Sequence, residues 1–224
     1  KKDKSKGFRG VINLIRNIRR TEYDVAVDLR SDGLLYFIKA KKKYYKIRNK
    51  NCHSVEKHYL SLRDSMENIP KPEVWISETE KTNAKKLLHL SYKNILAIGL
   101  GANSRHKIWP VKFYAQLSNM LKNKYDLIVL VGDIKDSKLS GPFIDSYQGP
   151  IINLCGKVDL LTTAAVLQKA DLFIGNDSGL GHIASALETK TYTIFGPGQP
   201  NRYKPWGEYA YYIQDKLKMI DHIK

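Results

Sequence analysis

Four short segments carry residue types that could do chemistry on a phosphorylated ligand. They are Gly101-Ala102-Asn103-Ser104-Arg105-His106-Lys107, Gly132-Asp133 with Asp136, Gly175-Asn176-Asp177-Ser178-Gly179, and Gly196-Pro197-Gly198. In the first, the hydroxyl of Ser104 and the cations of Arg105 and Lys107 stand just before a helix-forming stretch. Hydroxyls, cations and free amide N–H groups at such a place suit a phosphate or diphosphate. The plainer alternative is a loop that caps the helix and leaves its cations in water. In the third, Ser178 can cap a helix that carries His182 about one turn in, and Asp177 takes that role if the boundary moves by one residue. A lone helical His is ordinarily a packing or surface residue; beside this turn it can face the same cleft. Asp136 follows a strand end, where a carboxylate can accept from ribose hydroxyls or simply sit in an exposed turn. Small residues at all four turns let a ligand approach the backbone.

Other chemistries lack their patterns. The phosphate loop Gly-x-x-x-x-Gly-Lys-Ser/Thr is absent, and Gly99-Leu100-Gly101 stops short of a dinucleotide Gly-x-Gly-x-x-Gly. No Asp-x-Asp occurs, so a metal-dependent nucleotide-sugar site of that type has no support, and no Gly-x-Ser-x-Gly elbow is present. The six His and two Cys have no metal-ligand spacing. Cys52 and Cys155 make no disulfide framework, fit a reducing cytosol as free thiols, and read most simply as ordinary small side chains.

The four segments must be positioned by short apolar strands alternating with helices. Ile95 to Leu100, Leu127 to Val131, Ile151 to Leu154, Asp171 to Ile174 and Thr191 to Phe195 read as strands. Helices are expected over about 79–92, from Pro110 at its first position to about Lys122, weakly from Pro142 to Tyr147, from the cap Asp159 to about Lys169, and from Ser178 to Leu187. All-apolar strands in this alternation indicate a parallel sheet covered on both faces. Ligands of such sheets bind beyond the carboxyl ends of the strands, where all four segments fall. Residues 93–196 therefore read as one Rossmann-like α/β domain. Upstream, Phe8, Val11, Ile12, Ile15 and Ile18 form one apolar helical face. Tyr23 to Leu29 reads as a strand, Gly33 to Ala40 as a helix running into Lys41-Lys42-Lys43, and Tyr44 to Ile47 as a second strand. Residues 48–78, broken by Pro70 and Pro72, are the expected linker. The domains expected are 1–70, a partial unit of the same kind, and 71–224.

Composition narrows the class. The chain has 224 residues with 42% hydrophobic content, enough for a packed core rather than a disordered tail. No apolar run approaches the ~18–20 residues that span a membrane. Lys1-Lys2-Asp3-Lys4 has neither an initiator Met nor a signal-peptide core, so the chain reads as part of a longer one. The formal net charge is +16, unevenly placed: residues 1–63 hold 18 Lys and Arg against 6 Asp and Glu, and residues 64–224 hold 20 against 16. Such a basic segment predicts an anionic partner, whether nucleic acid, a membrane surface or a phosphorylated substrate, or else a merely solubilising surface. Residues 1–63 carry no helix-turn-helix, RNA-recognition or zinc pattern, which counts against a nucleic-acid-binding module.

The stretch from Ala170 through Asn176-Asp177-Ser178-Gly179-Leu180-Gly181-His182 to Ala184 resembles the hallmark of glycosyltransferase family 9, the ADP-heptose:lipopolysaccharide heptosyltransferases. So does its continuation through Phe195-Gly196-Pro197 to Pro200, Arg202 and Pro205-Trp206-Gly207. Gly101 to Pro110, with Lys107 and Trp109-Pro110, looks like the family's phosphate loop; Leu130 to Asp133 with Asp136 looks like its ribose turn; Tyr23 to Leu29 resembles a strand of its N-terminal domain. The resemblance covers residues 8–47 and 93–207. It implies an α/β fold of GT-B type, two Rossmann-like domains with parallel sheets, the N-terminal one incomplete. It also implies metal-independent, inverting transfer of a heptose or related sugar, with no cofactor beyond the ADP-sugar substrate, onto the inner core of lipopolysaccharide. By the same resemblance, Ser104 and Lys107 would hold the diphosphate and Asp136 the ribose, while Asp177, Ser178, Gly179 and His182 would line the sugar–phosphate side. The family opens with a strand and a glycine-rich turn whose Asp is taken as the general base. No counterpart is present here, so the catalytic base is expected upstream of residue 1. After Gln214 the family usually has a longer loop, so a segment is expected to be missing there too. A basic acceptor domain presenting Lys41, Lys42 and Lys43 would suit an anionic lipopolysaccharide core, with the enzyme cytoplasmic and peripheral on the inner face of the inner membrane and no nucleic acid as partner. The alternatives are the nucleic-acid module and a non-catalytic sugar-nucleotide-binding remnant.

Overall fold

The computed structural model describes residues 8–29, 33–47, 52–62, 68–88 and 92–214. The junction after Gln214 lies outside the described residues. The chain divides into two compact units, Lys1–Ile69 and Pro70–Lys224.

In the smaller unit the three- and four-residue apolar spacing forms helix α1 (Phe8–Ile18). Strand β1 (Tyr23–Asp28) pairs in parallel with β2 (Ala40–Tyr45), with Val25 opposite Lys42. The expected helix over 33–40 shrinks to a 3₁₀ turn at Leu34–Phe37, entered through Gly33 at φ 80°. The chain is already extended at Ala40, so Lys41, Lys42 and Lys43 are strand residues; pairing with β1 outweighs the helical tendency of Leu-Leu-Tyr-Phe. The expected linker holds a helix, α2 (Ser54–Leu60). A reciprocal cap starts it: the His53 N–H donates to Glu56 Oε2 (2.6 Å) and the Val55 N–H donates to His53 Nδ1 (3.2 Å). A His in the place usually held by Ser or Thr hides this signal in the sequence.

The larger unit contains α3 (Glu78–Leu88), β3 (Ile95–Gly99), α4 (Val111–Leu121), β4 (Leu127–Leu130), α5 (Ser137–Ser146), β5 (Ile151–Asn153), α6 (Leu160–Lys169), β6 (Leu172–Asn176), α7 (Gly179–Ala186), β7 (Thr191–Phe195), a short α8 (Pro200–Tyr203) and β8 (Ala210–Gln214). The six strands form one sheet in the order β5-β4-β3-β6-β7-β8, parallel at every pairing. Because side chains alternate across a strand, the sheet feeds two cores. Ala97, Val129 and Phe173 pack with α3, α6 and α7; Ile98, Leu130 and Ile174 pack with α4 and α5. That order places the topological switch between β3 and β6, and the crevice outside their carboxyl ends is where ligands bind in open sheets.

Several boundaries differ from expectation. Asp159 caps α6 as expected, its Oδ1 accepting from the Thr162 N–H at 2.8 Å. Pro110 is extended (ψ 133°) and precedes α4 rather than opening it. Helix α5 begins at Ser137, with Pro142 inside it. A proline there has no N–H to donate to the carbonyl of Lys138, one turn back, and its own carbonyl accepts from the Ser146 hydroxyl at 2.8 Å. Strand β6 runs on to Asn176, so Gly175 and Asn176 belong to the sheet and not to the turn after it. Strand β8 was not expected at all. As an edge strand it is exposed from Tyr211 to Gln214, so its sequence is not the all-apolar run that marks the central strands.

Candidate functional site

The segment after β3 turns back on itself in one 3₁₀ turn. The Ser104 carbonyl accepts from the Lys107 N–H and the Arg105 carbonyl from the Ile108 N–H, both at 3.0 Å. This carries Lys107 over the end of β6, where its Nζ meets Asp177 Oδ2 at 2.6 Å. The pair is part-buried, which strengthens a charge-assisted hydrogen bond. Asp177 is itself tied to β7, its N–H donating to the Ile194 carbonyl (3.2 Å). The turn after β7 lies alongside: a Cβ on Gly198 would stand 3.3 Å from Asp177 Oδ2. Gln214, at the end of β8, holds that turn by donating to the carbonyls of Gly196 (3.0 Å) and Gly198 (3.1 Å).

The turn after β4 closes on its own carboxylates. Asp133 Oδ1 accepts from the N–H of Lys135 (2.7 Å), and Asp136 Oδ2 accepts from the N–H of Asp133 (3.0 Å). Burial pushes the Asp136 carboxyl above its ordinary value, against the opposing pull of the Asp133 N–H. A Cβ on Gly101 would lie 1.8 Å from Asp136 Oδ1, and one on Gly132 2.6 Å from its Oδ2. The glycines at these two turns thus admit the protein's own carboxylate, where the sequence suggested only the close approach of a ligand.

Between these turns lies a cleft of about 330 Å³. Its lining mixes the polar side chains of Asp136 and Ser178 with the apolar ones of Ala102, Val158, Leu160 and Ile183, and includes Gly179. That is a volume and a mixed lining that suit a small ligand. Ser178 occupies the cap position of α7 in extended conformation, but its hydroxyl caps nothing: its Oγ is buried and makes no hydrogen bond to the protein. A buried polar atom without a protein partner is uncommon and is open to a water or a ligand atom.

The structure therefore brings Asp136, Ser178 and Gly179 to one cleft and pairs Lys107 with Asp177 next to it. Ser104 is half-buried at the start of the 3₁₀ turn, and His182 is exposed on α7; neither forms a wall of the cleft. Lys41, Lys42 and Lys43 stand on β2 in the other unit, Lys41 paired with Asp24 at 2.7 Å on the surface. The apolar wall was missed by sequence reasoning. Its one signal in the sequence is Leu160, an apolar residue directly after the cap Asp159. Among the described residues no three His, Cys, Asp or Glu side chains gather into a cation site.

A family model described as glycosyltransferase family 9 (heptosyltransferase) matches residues 11–221. The chain belongs to glycosyltransferase family 9. It is similar to the lipooligosaccharide heptosyltransferase 2 of Campylobacter jejuni, 25% identical over 181 residues that cover 77% of this chain and 57% of the relative. It is also similar to the lipopolysaccharide heptosyltransferase 2 of Salmonella typhimurium, 29% identical over 157 residues that cover 65% and 45%. The chain spans about half the length of the curated relatives it matches. Among solved structures, the E. coli ADP-heptose lipopolysaccharide heptosyltransferase II aligns with a TM-score of 0.69 at 20% identity over 90% of this chain and 71% of that one. The family 9 glycosyltransferase of Veillonella parvula aligns with 0.76 at 18% identity over 94% and 69%. The α/β fold with parallel sheets is the GT-B type of these family 9 structures.

Proposed function

We propose that this family 9 chain acts as a glycosyltransferase, moving a heptose or related sugar from a nucleoside-diphosphate sugar, ADP-heptose foremost, to the inner core of lipopolysaccharide. Transfer is metal-independent and inverts the anomeric centre. The observation that carries this reading is the Lys107–Asp177 pair at 2.6 Å beside a cleft containing the unpartnered Ser178 hydroxyl and Asp136. The names of the heptosyltransferase relatives support the choice of sugar and acceptor.

In this reading a departing nucleoside diphosphate needs positive charge where its negative charge develops. Lys107 supplies it. An ammonium has three donor hydrogens, so one can stay on Asp177 while others reach phosphate oxygens. The first N–H groups of α7, at Gly179 and beyond, have no partner within the helix and can add to this. Ser104 assists Lys107 at the diphosphate, Asp136 accepts from the ribose, and Asp177, Ser178 and His182 face the sugar–phosphate side. Lys41, Lys42 and Lys43 belong to the acceptor and membrane-surface side, with the protein cytoplasmic and peripheral. No helix among the described residues is long and apolar enough to cross a membrane.

Calorimetric titration with ADP, UDP and ADP-heptose tests the donor half of the reading, and ADP and ADP-heptose are expected to bind. A folded, dialysed sample that takes up none of them sinks it. Sugar transfer to a purified core acceptor tests the rest.

A further inference from the structure

The residue before Asp177 has a different role. Asn176 ends β6, is fully buried, and spends its amide on the segment after β3 and on the helix that follows it. Its Nδ2 donates to the Leu100 carbonyl at 2.8 Å and the Gly101 carbonyl at 3.4 Å. Its Oδ1 accepts from the backbone N–H of Trp109 at 2.8 Å and from the Tyr114 hydroxyl at 3.0 Å. Both hydrogens and both lone pairs are used, and flipping the amide would set donor against donor and acceptor against acceptor. Burial holds the Tyr114 hydroxyl far above its ordinary value, so it stays protonated and donates.

Leu100 and Gly101 begin the segment that carries Ser104 and Lys107, and Trp109 ends it. One side chain therefore ties both ends of that segment, while the next residue, Asp177, holds its middle through Lys107. Nothing in the regular ladder of the sheet does this: β3 ends at Gly99 and α4 begins at Val111. A segment pinned at three points loses little freedom when a ligand binds.

We propose that Asn176 is the positioning residue of the diphosphate segment, its buried amide clamping residues 100–109 so that Ser104 and Lys107 are presented ready-made. The proposal rests on reading that segment as the diphosphate cradle. Asn176 touches no ligand itself and acts through the backbone it holds.

Two variants test it, with ADP titrated into the full chain. Asn176→Asp keeps the shape but replaces the donor with an oxygen facing two carbonyls, and it should weaken ADP binding at least tenfold. Tyr114→Phe removes a bond to the same amide without releasing either end of the segment. It should lower the melting temperature yet leave the ADP Kd within twofold of the unaltered protein. The clamp is overturned if Asn176→Asp binds ADP as tightly as the unaltered chain, or if Tyr114→Phe weakens binding as much as Asn176→Asp does. Where the unaltered chain binds no ADP, the donor-site reading fails on its own. Amide hydrogen exchange then decides the clamp, as it does if Asn176→Asp fails to fold. In the unaltered protein the Trp109 N–H should exchange as slowly as the amides of β6, and exchange at the rate of an exposed loop overturns the proposal.

Discussion

Strand β3 of the larger unit and strand β1 of the smaller one are both paired in parallel, yet their side chains meet opposite surroundings. Every residue of Ile95–Gly99 is buried. No residue of Tyr23–Asp28 is, and Val25 and Val27 are 52% and 42% exposed. The difference is one of cover. Six strands with helices on both faces bury whole strands, whereas the two strands among the described residues of the smaller unit leave apolar side chains open. The charge is divided the other way, with most of the net positive charge in residues 1–63. Packing, and with it the precise placing of the cleft, belongs to the larger unit. The electrostatic reach belongs to the smaller one.

The largest effect should come from attacking that contrast directly. Phe173→Ala empties a fully buried site in β6 and should cost about 3–5 kcal/mol in denaturant unfolding. Val25→Ala in β1 should cost no more than about 0.5 kcal/mol, as exposed substitutions do. Equal losses would break the comparison. Next in size, Lys107→Ala removes a charged contact worth about 1.5–3 kcal/mol. It should weaken ADP binding roughly 10- to 150-fold by calorimetry. Reversing Lys41, Lys42 and Lys43 to Glu together should leave the ADP Kd unchanged and reduce binding to anionic vesicles; a matching loss of ADP affinity would mean that the two units do not divide the work this way. The smallest effect concerns Asp136. Its carboxyl is raised by burial, so between the ordinary value of 3.8 and the raised one the folded chain holds more protons than the unfolded chain. Stability contributed by this group therefore falls as pH rises through that window. Asp136→Asn should melt higher than the unaltered protein at neutral pH, and the gain should vanish below pH 3.8. A gain that persists in acid would remove burial as its cause.

Legibility followed the same division. The all-apolar runs of β3, β4 and β6, the cap Asp159 and the helix after Ser178 could be read because each signal is local and matches its final surroundings. Lys41 to Lys43 could not be placed, because strand pairing with β1 decided their conformation. Helix α2 was hidden by an unusual cap, and β8 by its exposed edge position. At the site, the sequence marks Ser178 as a helix start, but its hydroxyl makes no hydrogen bond to the protein, and Asn176, beside a Gly and an Asp, has the composition of a turn although it ends a strand.

By itself the sequence determined the alternation of strand and helix, the place of four polar turns at strand ends, and the separation of charge along the chain. These depend on residue type and near-neighbour spacing, which a chain carries before it folds. Only the tertiary structure decided that the Asp136 carboxylate fills the space left by Gly101, that Lys107 meets Asp177, and that Asn176 ties both ends of the segment between Leu100 and Trp109. The last two link residues 67 to 76 positions apart. They become neighbours because β3 and β6 lie side by side at the point where the strand order reverses, and hydrogen-bond geometry of that kind exists only once the sheet has formed.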